Sequence, residues 1–123
     1  MRIFVCLLLG LALVWSAIAA DAAGKWSGTF TPENGNGGYA YVILKQSGST
    51  LTGSAGGDPD NQWPGLQGTI KGNNISFQVK SAEDGVVYKC NLVLDGDHMK
   101  GDVAMTFPDG RAGKGKLDLE RVK

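Results

Sequence analysis

The chain has 123 residues, with 12 basic and 12 acidic side chains, 19 glycines and two cysteines. This balanced charge argues against nucleic-acid binding, which needs a basic field, and two cysteines cannot build a disulfide framework. The length is sufficient for one domain with a modest core.

The first 20 residues form the first predicted element. Arg2 is followed by an apolar run over residues 3–18 and then by small residues, which is the composition of a secretory signal with an A-x-A cleavage site. The run is shorter than the ~20 residues that a membrane-spanning helix needs. We therefore expect cleavage near Ala19 or Ala20, leaving residues 21–123 as one secreted or periplasmic domain with no membrane anchor.

Charge and cysteine content limit the partners and the disulfides that the remaining 103 residues can have. Arg2 is the only charged residue among the first 20, so the rest carries 11 basic and 12 acidic side chains. A near-neutral domain has no electrostatic reason to bind nucleic acid or an anionic membrane. Cys90 is the only remaining cysteine and cannot form an internal disulfide. We expect it to be a buried free thiol, with a bridge between two chains as the alternative.

Short stretches of alternating apolar and polar residues, punctuated by glycine, predict an all-β fold. Glycine makes up 18 of the 103 residues, well above the usual ~7%. Eight strands are predicted, over residues 25–30, 39–46, 50–55, 66–71, 74–80, 86–95, 99–107 and 112–122. Because side chains alternate between the faces of a strand, one face is expected to be buried and the other wet.

The connections predict the topology. Residues 47–49, 71–74, 95–98 and 108–110 are short and rich in turn residues, and such links join antiparallel neighbours. Closing the first strand on the last removes both exposed sheet edges. We therefore predict an eight-stranded antiparallel up-and-down meander barrel, whose interior is either filled by side chains or holds one small ligand. Inward-facing glycines indicate either barrel coiling or space for that ligand.

Two ends of the sequence resemble the calycin superfamily of lipocalins, fatty-acid-binding proteins and avidins. Gly24-Lys25-Trp26 matches the G-x-W of the first lipocalin strand, and Arg121 occupies the place of the basic residue that packs on that Trp. The resemblance implies that Trp26 and Arg121 have a structural role in closing the barrel. Leu51-Thr52-Gly53 is similar to an avidin strand, but the tryptophans of a biotin pocket have no counterparts. The chain also resembles small secreted bacterial proteins with a G-x-W-x-G start, which imply no activity.

The longer connections are expected to share one end of the barrel, which should be acidic. They cover residues 31–38, 56–65, 81–85 and 108–111. Their acidic residues are Glu33, Asp58, Asp60, Glu83, Asp84 and Asp109. Trp63, in the longest predicted loop, is expected to be a lid, a partner contact or a hydrophobic plug. On the outer face, Tyr39, Tyr41 and Ile43 indicate a docking patch or a one-residue error in the predicted register.

The sequence favours a binding module for a small apolar or amphipathic ligand at the loop-rich mouth of the barrel. The predicted ligand-binding residues are Phe30, Trp63, Phe77, Tyr88, Met105 and Phe107. The alternative is a filled barrel that acts as a protein-interaction or inhibitor module through its outer surface or loops.

Catalytic and metal-binding motifs receive little support from the sequence. His98 is the only histidine, and the sequence contains no phosphate-binding loop. Asp58, Asp60 and Asn61 offer oxygens of the kind that Ca²⁺ prefers, but they lack the EF-hand pattern and are read as turn residues. We therefore predict no enzymatic activity, no cofactor and no metal.

Overall fold

The computed structural model describes residues 20–123, and the regular structure in that range consists of eight β-strands. They are β1 (Gly24–Pro32), β2 (Gly38–Ser47), β3 (Thr50–Asp58), β4 (Asn61–Lys71), β5 (Asn74–Lys80), β6 (Val87–Asp95), β7 (His98–Thr106) and β8 (Ala112–Arg121). Each strand pairs antiparallel with the next and β8 returns to β1, which closes the barrel. The predicted meander barrel is therefore confirmed. The predicted signal peptide lies outside the described residues, apart from Ala20.

The closing pair of strands brings Trp26 and Arg121 together at one end, as predicted. Trp26 of β1 is opposite Arg121 of β8, and Phe30 is opposite Leu117 at the other end of the same pair. Because every strand has two hydrogen-bonded neighbours, no sheet edge is left open among the described residues. The barrel therefore has two distinct ends, one holding Trp26 and the other holding the connections after β1, β3, β5 and β7.

Side-chain alternation fills the barrel as the sequence predicts. On β2, Val42 and Leu44 are buried while Tyr41 and Ile43 are half-buried on the outside, so the predicted register of this strand is correct. Tyr39, at the mouth end of the strand, is 84% exposed. Side chains fill the half of the barrel that holds Trp26. Its fully buried side chains include Trp26, Leu44, Leu51, Leu66, Ile75, Leu92, Met99 and Leu119.

Inward-facing glycines allow neighbouring strands to approach closely. A Cβ built on Gly28 would lie 1.8 Å from the backbone oxygen of Asp118, and one on Gly68 would lie 2.1 Å from that of Ser76. Any side chain at these positions would push the strands apart. Of the two predicted explanations for the glycines, the structure supports barrel coiling rather than the creation of empty space.

Residues 20–23 cover the end of the barrel that holds Trp26. Ala22 is fully buried, and its backbone oxygen accepts a 3.0 Å hydrogen bond from the Trp26 indole nitrogen. The Gln46 side chain ties this segment to β2, because its oxygen accepts from the Ala22 amide and its nitrogen donates to the Ala20 carbonyl. We call this the closed end.

Arg121 completes the closed end. Its guanidinium lies over the Trp26 ring, 4.4 Å from the ring centre. Its nitrogens also donate to the backbone oxygens of Ala23 at 2.6 Å and Asp21 at 2.8 Å, and to the Asp97 carboxylate at 2.9 Å. One side chain therefore ties the chain segment before β1 to the last strand and to the β6–β7 turn.

The long loop predicted over residues 56–65 is wrong. β3 continues to Asp58 and β4 begins at Asn61, so only Pro59 and Asp60 connect them. Both Asp58 oxygens accept from the Asn61 side chain, and one of them also accepts from the backbone amides of Asp60 and Asn61. These hydrogen bonds, chiefly that from the Asn61 side chain, hold the pKa of Asp58 below its usual range. Asp58 therefore folds a tight turn, which extends the barrel wall where a flexible loop was expected.

Candidate functional site at the barrel mouth

A β-bulge in β4 turns Trp63 into the barrel. Gly53 is opposite Leu66 but Ser54 is opposite Pro64, so Gly65 is an extra residue with no partner on β3. Its φ of +84° lies in the region that favours glycine. Beyond the bulge the alternation is reversed. Trp63, opposite the inward-facing Ala55, now points to the interior instead of the solvent.

Trp63, Tyr88 and Phe30 form an aromatic wall at the mouth. The Trp63 and Tyr88 rings are stacked, with centres 5.6 Å apart and planes 10° apart. Phe30 meets Tyr88 edge-on, at 5.9 Å and 89°. Aromatic pairs in these geometries are worth about 0.5–1.5 kcal/mol beyond the area that they bury. The wall joins β1, β4 and β6, which are not adjacent in the sheet, so it spans the barrel interior.

The aromatic wall lines a cavity of about 490 Å³ that opens at the mouth. Its lining draws on all eight strands, and besides the aromatic wall it includes the inward-facing residues Val42, Ala55, Phe77, Val79, Cys90, Val103 and Leu117. The small side chain of Ala55 leaves space in this lining, whereas Gly56 allows close strand approach, since a Cβ there would lie 1.9 Å from the Asn61 backbone oxygen. The volume lies in the range of roughly 300–1,000 Å³ that small-molecule pockets occupy.

The rim of the cavity is polar and acidic. Asp58, Asn61, Glu83 and the exposed Tyr39 line it, whereas no Lys or Arg does so among residues 20–123. Glu83 also accepts a long hydrogen bond, 3.4 Å, from the Trp63 indole nitrogen. Burial is the main cause of the raised pKa of Tyr88, and the nearby acidic groups of Asp84, Cys90 and Glu83 raise it further. The Tyr88 hydroxyl is therefore held in its neutral form beside the carboxylates.

Cys90 lies at the floor of the cavity. It is a buried free thiol, 4% exposed, on β6 between Phe77 of β5 and Val103 of β7. Burial raises its pKa to about 12. Nucleophilic cysteines have lowered pKa values in electropositive surroundings, so this thiol is inert at neutral pH and acts as part of the apolar lining. The predicted burial of Cys90 is confirmed.

The structure brings four of the six predicted ligand-binding residues together. Phe30, Trp63, Phe77 and Tyr88 all line the cavity. Met105 and Phe107 instead pack around Gly113, where a built Cβ would lie 3.1 Å from Met105 Cε and 3.4 Å from Phe107 Cε1. The Phe107 ring is also covered by the Arg111 guanidinium at 5.0 Å.

The sequence did not identify the small and aliphatic residues that shape the cavity. The predicted set consists of five aromatic residues and Met105, whereas the small side chain of Ala55 leaves space in the cavity lining. Ala55 is the last residue of the strand predicted over residues 50–55, and the residues after it are predicted as a loop. The sequence therefore did not show that β3 continues past Ala55 along the cavity.

The remaining candidates lie elsewhere or lack the required geometry. His98 is on the outer face at the closed end, paired with Asp118. Residues 20–123 contain no cluster of His, Cys, Asp and Glu side chains arranged to hold a metal ion. In the same part of the chain, no helix is long and apolar enough to cross a bilayer. Comparison with models of protein families, with curated proteins and with solved structures finds no significant match.

Proposed function

We propose that the protein is a small-molecule binding module that takes an apolar or amphipathic ligand into the barrel mouth. The observation that carries this proposal is the 490 Å³ cavity, with an apolar interior, an aromatic wall and a polar rim. Ligand pockets generally combine a mostly apolar lining with a few placed polar groups. The architecture, like that of the calycins it resembles in sequence, encloses one ligand-sized space.

The filled half of the barrel next to the closed end supports the same proposal. Trp26, Arg121 and residues 20–23 cover the closed end, so a ligand can enter only at the mouth. The mouth is held by backbone pairing and by the Asp58 turn, which keeps the cavity formed without a ligand. A preformed cavity lowers the ordering cost of binding.

The test is titration with N-phenylnaphthylamine, a neutral dye that fluoresces in apolar surroundings. We expect saturable binding of one dye per chain. Ala55→Leu, which fills the cavity, is expected to weaken binding by at least about tenfold, since the lost space removes burial worth ~0.8 kcal/mol for each displaced CH₂. Unchanged dye binding in Ala55→Leu would overturn the proposal.

Matched controls separate cavity filling from general damage. Ala104→Leu makes the same change on the exposed outer face of β7 and is expected to leave dye affinity unchanged. Trp63→Phe keeps the aromatic wall but removes the mouth tryptophan, so the change in tryptophan emission on binding should decrease. Trp26 is buried at the opposite end and remains as the more distant tryptophan.

An interaction or inhibitor role through the outer surface is the second candidate, favoured by the 84% exposure of Tyr39. This role assumes a barrel filled by side chains, whereas the structure has a cavity at the mouth. It is tested by measuring molecular mass against concentration for the protein and for Tyr39→Ser. Concentration-dependent association that the substitution abolishes would support it.

Export is part of the proposal. The composition of residues 1–20 supports removal of a secretory signal, and we propose a secreted or periplasmic location for the binding module. We further propose that it is not an enzyme and uses no cofactor, since the cavity-lining residues within 20–123 include no nucleophile hydrogen-bonded to a base. Intact mass measurement of protein purified from its source tests the cleavage point and reports any bound small molecule.

A further inference from the structure

We infer that the preferred ligand is a cationic amphiphile, with its apolar body in the cavity and an ammonium group at the rim. This inference rests on the proposed function and specifies the chemical class of the ligand. The cavity determines where the apolar body lies, and the chemistry of the rim determines the sign of the head group.

The aromatic wall is the first part of the argument. Stacked Trp63 and Tyr88 stand at the mouth with Phe30 edge-on to Tyr88, and all three line the cavity. The face of an aromatic ring carries negative electrostatic potential, which attracts ammonium groups and above all quaternary ones. An anionic or neutral head group gains nothing comparable from these rings.

The carboxylates are the second part. Glu83 lies beside the wall, within 3.4 Å of the Trp63 indole nitrogen, and Asp58 lies across the rim. The carboxylate oxygens of Asp58 accept hydrogen bonds from the Asn61 side chain and from the turn amides. Among the described residues, Glu83 accepts only the long hydrogen bond from Trp63. Glu83 is therefore the carboxylate with free capacity to meet a cation. The raised pKa of Tyr88, caused mainly by burial and also by Asp84 and Glu83, agrees with a negative potential at this point.

The basic residues at this end are the third part. Arg111 is paired with Asp109 and lies over Phe107, and neither it nor Lys80, at the mouth end of β5, is part of the cavity lining. Among residues 20–123, no Lys or Arg lines the cavity, so the only charged neighbours of a carboxylate or phosphate head group would be the acidic Asp58 and Glu83. The same charge arrangement penalises an anionic ligand and favours a cationic one.

The experiment compares three amphiphiles that share one tail: octyltrimethylammonium, octanol and octanoate. Calorimetric titration at low salt is expected to rank them in that order, with the cation bound at least about tenfold more tightly than octanoate, because the head group interacts with two rim carboxylates. Added salt should narrow the difference. Equal or tighter binding of octanoate would overturn the inference.

Glu83→Gln is the decisive variant, because the amide oxygen can still accept from Trp63 while the charge is removed. It is expected to weaken octyltrimethylammonium binding about fivefold, the effect of one charge near 4 Å in a solvated site, and to leave octanol unchanged. Asp60→Asn is the matched control, since it removes an equal charge from the adjacent turn, outside the cavity lining. Equal losses in the two variants would show a general field effect and overturn the role of Glu83.

The results separate this inference from the proposed function. If all three amphiphiles bind equally and Ala55→Leu weakens all of them, the cavity binds ligands but the cationic preference is wrong. If none binds and N-phenylnaphthylamine also fails, the proposed function itself is wrong. If Glu83→Gln weakens the binding of octyltrimethylammonium alone, both the proposed function and the cationic preference are supported.

Discussion

Folding is expected to suppress the reaction of the Cys90 thiol with a disulfide reagent. Burial raises the pKa of this thiol from its ordinary value of 9.0 to about 12. Only the thiolate reacts, so at neutral pH the reactive fraction should fall about a thousandfold relative to the unfolded chain. The folded state favours the neutral thiol. Its contribution to the free energy of unfolding is therefore complete below pH 9 and is lost as the pH rises toward 12, by roughly 4 kcal/mol.

The assay follows release of thionitrobenzoate between about pH 7 and about pH 10, where the thiolate fraction controls the rate. Cys6→Ser is present throughout, so that Cys90 is the only thiol. In urea the rate should level off above pH 9, whereas in the folded protein it should keep rising. N-phenylnaphthylamine in the cavity should slow the reaction further, and Cys90→Ser should abolish it. A plateau near pH 9 in the folded protein would refute the burial of Cys90.

Three further predictions concern the fold. Gly28→Ala is expected to lower the free energy of unfolding by at least about 2 kcal/mol, because its Cβ would lie 1.8 Å from a backbone oxygen, whereas Gly38→Ala, with no atom within 4 Å, should change it little in the same urea titration. Arg121→Met is expected to cost about 2 kcal/mol through loss of the Trp26 contact and of hydrogen bonds to backbone oxygens; an unchanged thermal midpoint would contradict this. Lys123, and then Arg121, hold the pKa of Asp97 below its usual 3.8. The stabilisation from Asp97 should therefore be present above pH 4 and be lost as the pH falls through the lowered pKa. Asp97→Asn should remove this acid-dependent part of a pH series of unfolding curves.

Much of the fold was predictable because alternation and turn chemistry agree along most of the chain. On β5, for example, Ile75, Phe77 and Val79 are buried and the residues between them are exposed, which is what a period of two requires. The pairing of β1 with β8 followed from the number of strands and from the need to remove open edges. In contrast, the β3–β4 hairpin was misassigned because Gly, Pro, Asp and Asn usually mark loops, and here they form a bulge and a two-residue turn.

The candidate site was only partly predictable for the same reason. Phe30, Phe77 and Tyr88 lie on strands with unbroken alternation, so their inward direction follows from the sequence. The inward direction of Trp63 depends on the bulge at Gly65, and a period-two pattern gives the wrong face for it. The position of empty space also depends on which residues meet across the barrel, and a single strand does not contain that information.

The bulge at Gly65 determines which face of β4 points inward near the mouth, and no substitution can have the same effect. Removing or adding one residue there would exchange the two faces of the strand between the bulge and the Asp58 turn, moving Trp63 to the solvent and its neighbours inward. The closed end, which is held by Trp26 and Arg121, would keep its packing. Insertion or deletion of a single residue there would therefore change which side chains line the cavity while the rest of the barrel is retained.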